Sequence, residues 1–138
     1  MGKGATIGKT LAASLALCVA AWACSRDKGP TPEEEAALAA KDYYDALVYG
    51  QPEKWVMGHA GAAQMSDTYR QLLLENARMY LEQQRQAHGG MADIAVAPQR
   101  SLHDSCSTIA ILNVRFADGA LEAIAVPMTL EGDKWKMK

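Results

Sequence analysis

His103-Asp104-Ser105-Cys106 places a base, an acid, a hydroxyl and a thiol within four residues. Nucleophilic catalysis needs a base within reach of the nucleophile and a third group to orient that base. Such sets are assembled from distant segments, because neighbours on one loop cannot present their side chains to a common point. The run therefore reads as a polar hairpin loop, and no catalytic residue is assigned. A metal site using His103 and Cys106 would need more ligands, and neither His59 nor His88 has the spacing to supply them. No metal or cofactor site is expected. Gly8-Lys9-Thr10 resembles the end of a phosphate-binding loop, but that loop needs four residues between its first glycine and the Gly-Lys pair. Gly4 leaves three and Gly2 leaves five. The cysteine whose surroundings imply chemistry is Cys24.

Lys3 and Lys9 lie in a short leader without acids, followed by thirteen uncharged residues from Leu11 to Ala23. A basic start, an apolar run of this length and a small-residue ending are the parts of a secretory signal. The run is too short for a bilayer, which takes about 20 apolar residues. The pattern Met1-Gly2-Lys3-Gly4-Ala5-Thr6 also fits N-myristoylation, but the apolar run behind it has no place in that reading. Ala21-Trp22-Ala23-Cys24 resembles the lipobox of bacterial lipoproteins, with Trp22 bulkier than the usual small residue. The resemblance implies that Cys24 receives diacylglycerol on its sulfur, becomes the first mature residue and carries fatty acyl (palmitate-type) chains. Residues 1–23 are then a signal peptide and 24–32 a lipidated tether. Residues 33–138 form the domain, facing the periplasm or the cell exterior.

Removing the leader leaves enough chain for one domain. The formal net charge is −2 with 14 basic and 16 acidic residues, and no basic face or polybasic patch suggests nucleic acid. The expected contact with the membrane is through lipid. Cys18 leaves with the signal and Cys24 carries lipid, so Cys106 is alone and no intramolecular disulfide is expected.

Thr31-Pro32-Glu33-Glu34-Glu35 combines an N-cap, a proline for the first helical position and acids for the first turn. This helix is predicted to run to about Tyr49, with Ala37, Ala40, Tyr44, Leu47 and Val48 on one stripe. Gly50 stops it. Pro52 to Met57 is predicted as a short second helix. A long third helix begins after Ser66 or Asp67 and ends near Ala87 at Gly89-Gly90.

From Met91 the period changes to two. Ile94 and Val96 mark a first strand, and Ser107 to Ala117 the clearest one. Asp118-Gly119 reads as a two-residue hairpin turn. Arg115 then faces Glu122, and Asn113, Ile111 and Ile109 face Ile124, Val126 and Met128. On the other face Phe116 meets Leu121, Val114 meets Ala123 and Leu112 meets Ala125. A second tight turn at Gly132-Asp133 sets Leu130 opposite Trp135 and Met128 opposite Met137. The face with Ile109, Ile111, Ile124, Val126, Met128, Leu130, Trp135 and Met137 is the expected core face.

Six stretches carry a family resemblance: Ala40-Lys41-Asp42-Tyr43-Tyr44-Asp45-Ala46-Leu47, Tyr49-Gly50-Gln51-Pro52-Glu53-Lys54, Ala87-His88-Gly89-Gly90, Phe116-Ala117-Asp118-Gly119, Val126-Pro127-Met128 and Gly132-Asp133-Lys134-Trp135-Lys136. With the order of elements, they make the chain similar to the nuclear-transport-factor-like and ketosteroid-isomerase-like cone-fold superfamily. More narrowly, it resembles small bacterial lipoproteins with a domain of unknown function. The resemblance implies an α+β domain of three N-terminal helices packed on a curved antiparallel sheet of about four strands. The superfamily holds isomerases, dehydratases and binding modules, so it does not select a function.

Tyr43, Tyr44, Tyr49, Trp55, Tyr69 and Tyr80 are many aromatics for one small helical layer. They read mainly as core, with some lining a cone pocket. Tyr44, Asn113, Arg115 and Glu122 are the candidate pocket residues for an unidentified small molecule. Leu112, Val114, Phe116 and Leu121 form the candidate interface, an apolar patch on the outer sheet face expected to carry a homodimer or an envelope protein partner. The expected function is a non-enzymatic binding or accessory module of the cell envelope. The alternative is an isomerase or dehydratase working inside the cone.

Overall fold

The computed structural model describes residues 29–98 and 106–138. The leader, Cys24 and the triplet His103-Asp104-Ser105 lie outside these residues. Helix α1 (Pro32–Val48) begins as the sequence dictates. The Glu34 amide donates to Thr31 Oγ1 at 3.3 Å and the Thr31 amide to Glu34 Oε2 at 3.0 Å. This reciprocal capping box satisfies two amides that the helix itself cannot. Tyr49 closes the helix, and Gly50 turns the chain away at φ 71°.

Helix α2 (Pro52–Met57) buries Val56 and ends at Gly58. A β-carbon at Gly58 would lie 2.6 Å from the Tyr43 ring, so only glycine lets α1 and α2 come this close. After a 3₁₀ turn at Ala62–Gln64, helix α3 (Asp67–His88) starts on Ser66, whose hydroxyl accepts the Tyr69 amide at 3.1 Å. It ends on Gly89 in the left-handed conformation. Ala77 is its one buried residue.

Strands β1 (Met91–Val96), β2 (Ser107–Phe116), β3 (Leu121–Glu131) and β4 (Lys134–Met137) form an antiparallel meander in that order. The sheet curls into a half-barrel with the three helices packed on it, an α+β cone. β4 is covered at its free edge. The Met137 amide donates to the Gly58 carbonyl at 2.8 Å, and the Ala60 amide to the Met137 carbonyl at 2.7 Å. Ala36 and Ala40 of α1 are fully buried against the sheet in one cluster with Ile94, Phe116, Met128 and Trp135. The Tyr43 hydroxyl donates to the Trp135 carbonyl at 2.9 Å, joining α1 to β4.

The β3–β4 register is as expected, with Leu130 opposite Trp135 and Met128 opposite Met137. The β2–β3 register is shifted by one residue from the expected one. Arg115 faces Leu121, Val114 faces Glu122, Leu112 faces Ile124 and Ala110 faces Val126. The loop has three residues, closed by Phe116 N–H to Ala120 O at 2.9 Å and Gly119 N–H to Phe116 O at 3.0 Å. A two-residue Asp-Gly turn needs positive φ at both positions. Here Gly119 has φ 88°, and among the described residues none other than glycine has positive φ. Asp118 instead accepts the Ala120 amide on Oδ1 at 2.9 Å.

One residue of slip exchanges the two faces of a strand. Thr108, Ala110, Leu112, Val114 and Phe116 therefore face the helices, while Asn113 and Arg115 face outward. This register buries the Phe116 ring and leaves Asn113 and Arg115 in solvent, which favours it energetically.

Candidate functional site

α3 rests on α2 and β1 and stands off β3. Between them opens a cleft of about 540 Å³. Tyr44 and Leu47 enter it from α1, Trp55 from α2, Asn76, Ala77 and Tyr80 from α3, and Glu122, Ile124 and Ala125 from β3. The helical period sets this arrangement: Asn76 and Tyr80 are four residues apart and share one face of α3. Glu122 sits opposite the buried Val114, on the helix-facing side of β3 in line with Ile124 and Val126, at the solvent-exposed rim.

Tyr44 and Trp55 meet edge to face, with centroids 6.3 Å apart and planes at 83°. Burial pushes the Tyr44 hydroxyl's pKa up, and the nearby Trp55 indole N–H offsets part of that rise. That N–H is itself buried, with no partner in hydrogen-bond geometry among the described residues. Burial also raises the Tyr80 hydroxyl, with the negative charge of Glu122 and the proximity of Tyr44 adding to it. Both tyrosines are therefore neutral hydroxyls at physiological pH. Glu122 is the one charged side chain among the nine lining residues.

Of the four candidate pocket residues, the structure brings Tyr44 and Glu122 into the cleft. Asn113 and Arg115 point outward from β2, with Arg115 3.7 Å from Asp93 on β1 rather than paired with Glu122. The proposed outer patch is divided: Leu112, Val114 and Phe116 are core residues at 0, 0 and 1 % exposure, while Leu121 is 74 % exposed. That reading rested on the unshifted register and goes with it. Among the six aromatics, Trp55 and Tyr80 join Tyr44 at the cleft, whereas Tyr49 and Tyr69 are exposed. Sequence reasoning missed Asn76, whose signal is its place one turn before Tyr80.

A second hollow of about 250 Å³ lies between α2 and the first turns of α3, lined by Glu53, Met57 and Arg70 among others. Arg70 spends its Nη2 on the Ala62 and Met65 carbonyls, which fixes the 3₁₀ turn to α3. Cys106 is exposed just before β2, and its carbonyl accepts the Leu130 amide at 2.9 Å. Among the described residues, no cluster of His, Cys, Asp and Glu could hold a metal, and no helix is long and apolar enough to cross a membrane.

No family model and no curated protein sequence matches the chain. A solved structure does share its architecture, that of a provisionally assigned NTF2-like transpeptidase from Campylobacter jejuni. The TM-score is 0.56 at 17 % identity, over 71 % of this chain and 92 % of that one. The likeness is one of fold, and the domain has the NTF2-like cone architecture.

Proposed function

We propose that the protein is a membrane-anchored lipoprotein of the cell envelope whose cone domain is a non-enzymatic binding module for a small molecule. The open cleft between α3 and β3 carries this reading. Its volume lies within the range of small-molecule sites, about 300–1,000 Å³, and its lining has the usual makeup of apolar walls with a few placed polar groups. The anchor rests on the leader and Cys24. Transpeptidase chemistry is not carried over from the structural neighbour, since the lining holds no serine, threonine or cysteine.

One observation favours a second reading. A carboxylate and two tyrosine hydroxyls in one cleft are the groups a proton-transferring isomerase or dehydratase would use. Native mass spectrometry of the full-length protein isolated from bacterial envelopes separates the two. A co-purified molecule lost from an Ala77→Trp variant, and unchanged on prolonged incubation, supports the binding module. Conversion of that molecule to an isomer or a dehydrated product by wild type, abolished in Glu122→Gln, would replace it with the enzyme. A cleft that retains nothing and accepts no small molecule would end both.

A further inference from the structure

Three aromatic side chains, Tyr44, Trp55 and Tyr80, line the cleft from three different helices. Tyr44 and Trp55 stand at 83° to one another, so their rings form a corner rather than a stack. Behind Trp55, His59 makes a further edge contact at 4.5 Å. Its Nδ1 lies 3.1 Å from both the Trp55 and Val56 carbonyls. Carbonyls only accept, so Nδ1 carries a hydrogen, and the imidazole braces the indole rather than binding a ligand. The Trp55 N–H is buried and out of reach, which leaves the π-system as what the indole can offer.

The charge of the cleft is one-sided. Glu122 is its single ionic group, with no lysine, arginine or histidine in the lining to balance it. An anionic guest would meet uncompensated repulsion. A neutral guest would gain apolar contact and hydrogen bonds from Asn76 and the tyrosine hydroxyls, but would leave the Glu122 charge unanswered. A cation would meet a carboxylate at the rim and three aromatic rings within, the pairing of charge and π-systems that binds alkylammonium groups. Leu47, Ile124 and Ala77 supply an apolar floor for the carbon body attached to such a group.

We infer that the cleft selects an organic cation, an amine or quaternary ammonium on an apolar body, held between Glu122 and the Tyr44–Trp55–Tyr80 rings. This rests on the reading of the cleft as a small-molecule site and adds the ligand's chemical class.

Three water-soluble probes of nearly equal shape test it: choline, its neutral carbon analogue 3,3-dimethylbutan-1-ol, and the anion 3,3-dimethylbutanoate. Each is titrated calorimetrically into the full-length protein and into Glu122→Gln, Trp55→Leu and Ala77→Trp. The expected result is choline binding roughly tenfold or more tighter than the alcohol. That preference should fall in both Glu122→Gln and Trp55→Leu, and all binding should fall in Ala77→Trp. Alcohol or carboxylate binding as tightly as choline, and still lost in Ala77→Trp, would overturn the cation and leave the small-molecule cleft standing. No binding by any of the three would overturn the cation proposal. If wild type and Ala77→Trp then also retain the same molecules from the envelope, the cleft reading fails with it.

Discussion

Nδ1 of His88, at the end of α3, lies 2.8 Å from Oδ2 of Asp118 at the tip of the β2–β3 hairpin. The His88 ring also stacks on Phe116 with centroids 4.5 Å apart, and its carbonyl accepts the Asp118 amide at 3.1 Å. The helix that roofs the cleft is thus clamped to the hairpin that carries Glu122. The Ala120 amide, and then His88, hold the Asp118 carboxyl below its ordinary value of 3.8. A depressed carboxylate pKa stabilises the fold above the unfolded value, and this contribution is lost as pH falls through the folded one. Asp118→Ala should therefore melt below wild type at pH 7. The gap should close below about pH 3.8, as thermal unfolding followed by circular dichroism would show.

Leu112→Ala should cost about 2–5 kcal/mol in chemical denaturation, the usual range for truncating a fully buried leucine. Ile111→Ala, on the outer face of the same strand, should cost well under half as much. Equal losses would mean that the strand presents both faces alike, against the observed register.

Gly58→Ala places a methyl group against the Tyr43 ring and should cost about 1–3 kcal/mol. In a Tyr43→Ala background the same change should be nearly neutral. Tyr43→Phe alone should cost about 1 kcal/mol, since it leaves the Trp135 carbonyl without its donor. A double-mutant cycle with no coupling would show that the two residues do not press on each other.

Cys24→Ala should abolish metabolic fatty-acid labelling and leave the leader unprocessed. Two or more acyl chains anchor stably because each buried methylene adds about 0.8 kcal/mol, so the variant should also lose its lipid-mediated retention in the membrane fraction. Labelling that survives the substitution would remove the anchor from the proposal.

The helix boundaries were legible because their causes are local. Thr31-Pro32, Gly50, Ser66 and Gly89 act within one turn of where they stand. The two hairpins show where local reasoning stops. In Gly132-Asp133 glycine comes first, at φ 65°, as a two-residue turn with one positive φ requires. In Asp118-Gly119 it comes second, which suits either a two-residue loop or a three-residue loop ending in a bulge. Distant atoms accompany that choice: Asp118 and Ala117 donate their amides to the carbonyls of His88 and Gly90. The pattern did hold a contrary signal, because the expected register turned Asn113 and Arg115 inward and Phe116 outward. Tyr44 and Glu122, named from the sequence, do line the cleft, but the place of Asn76 there depends on how far α3 stands from the sheet, which no short window encodes.

That stand-off has a counterpart on the opposite wall. α1 meets the sheet through Ala36 and Ala40, both wholly buried, so single methyl groups set the gap between helix and strands. Tyr44 lies one turn beyond Ala40 on the same helix. The alanines therefore work as a shim, and the aperture of the cleft is gauged from a place no ligand touches. A larger residue at Ala40 would lever α1 outward and carry the Tyr44 ring away from Trp55, retuning the opening while every residue that lines it stayed the same.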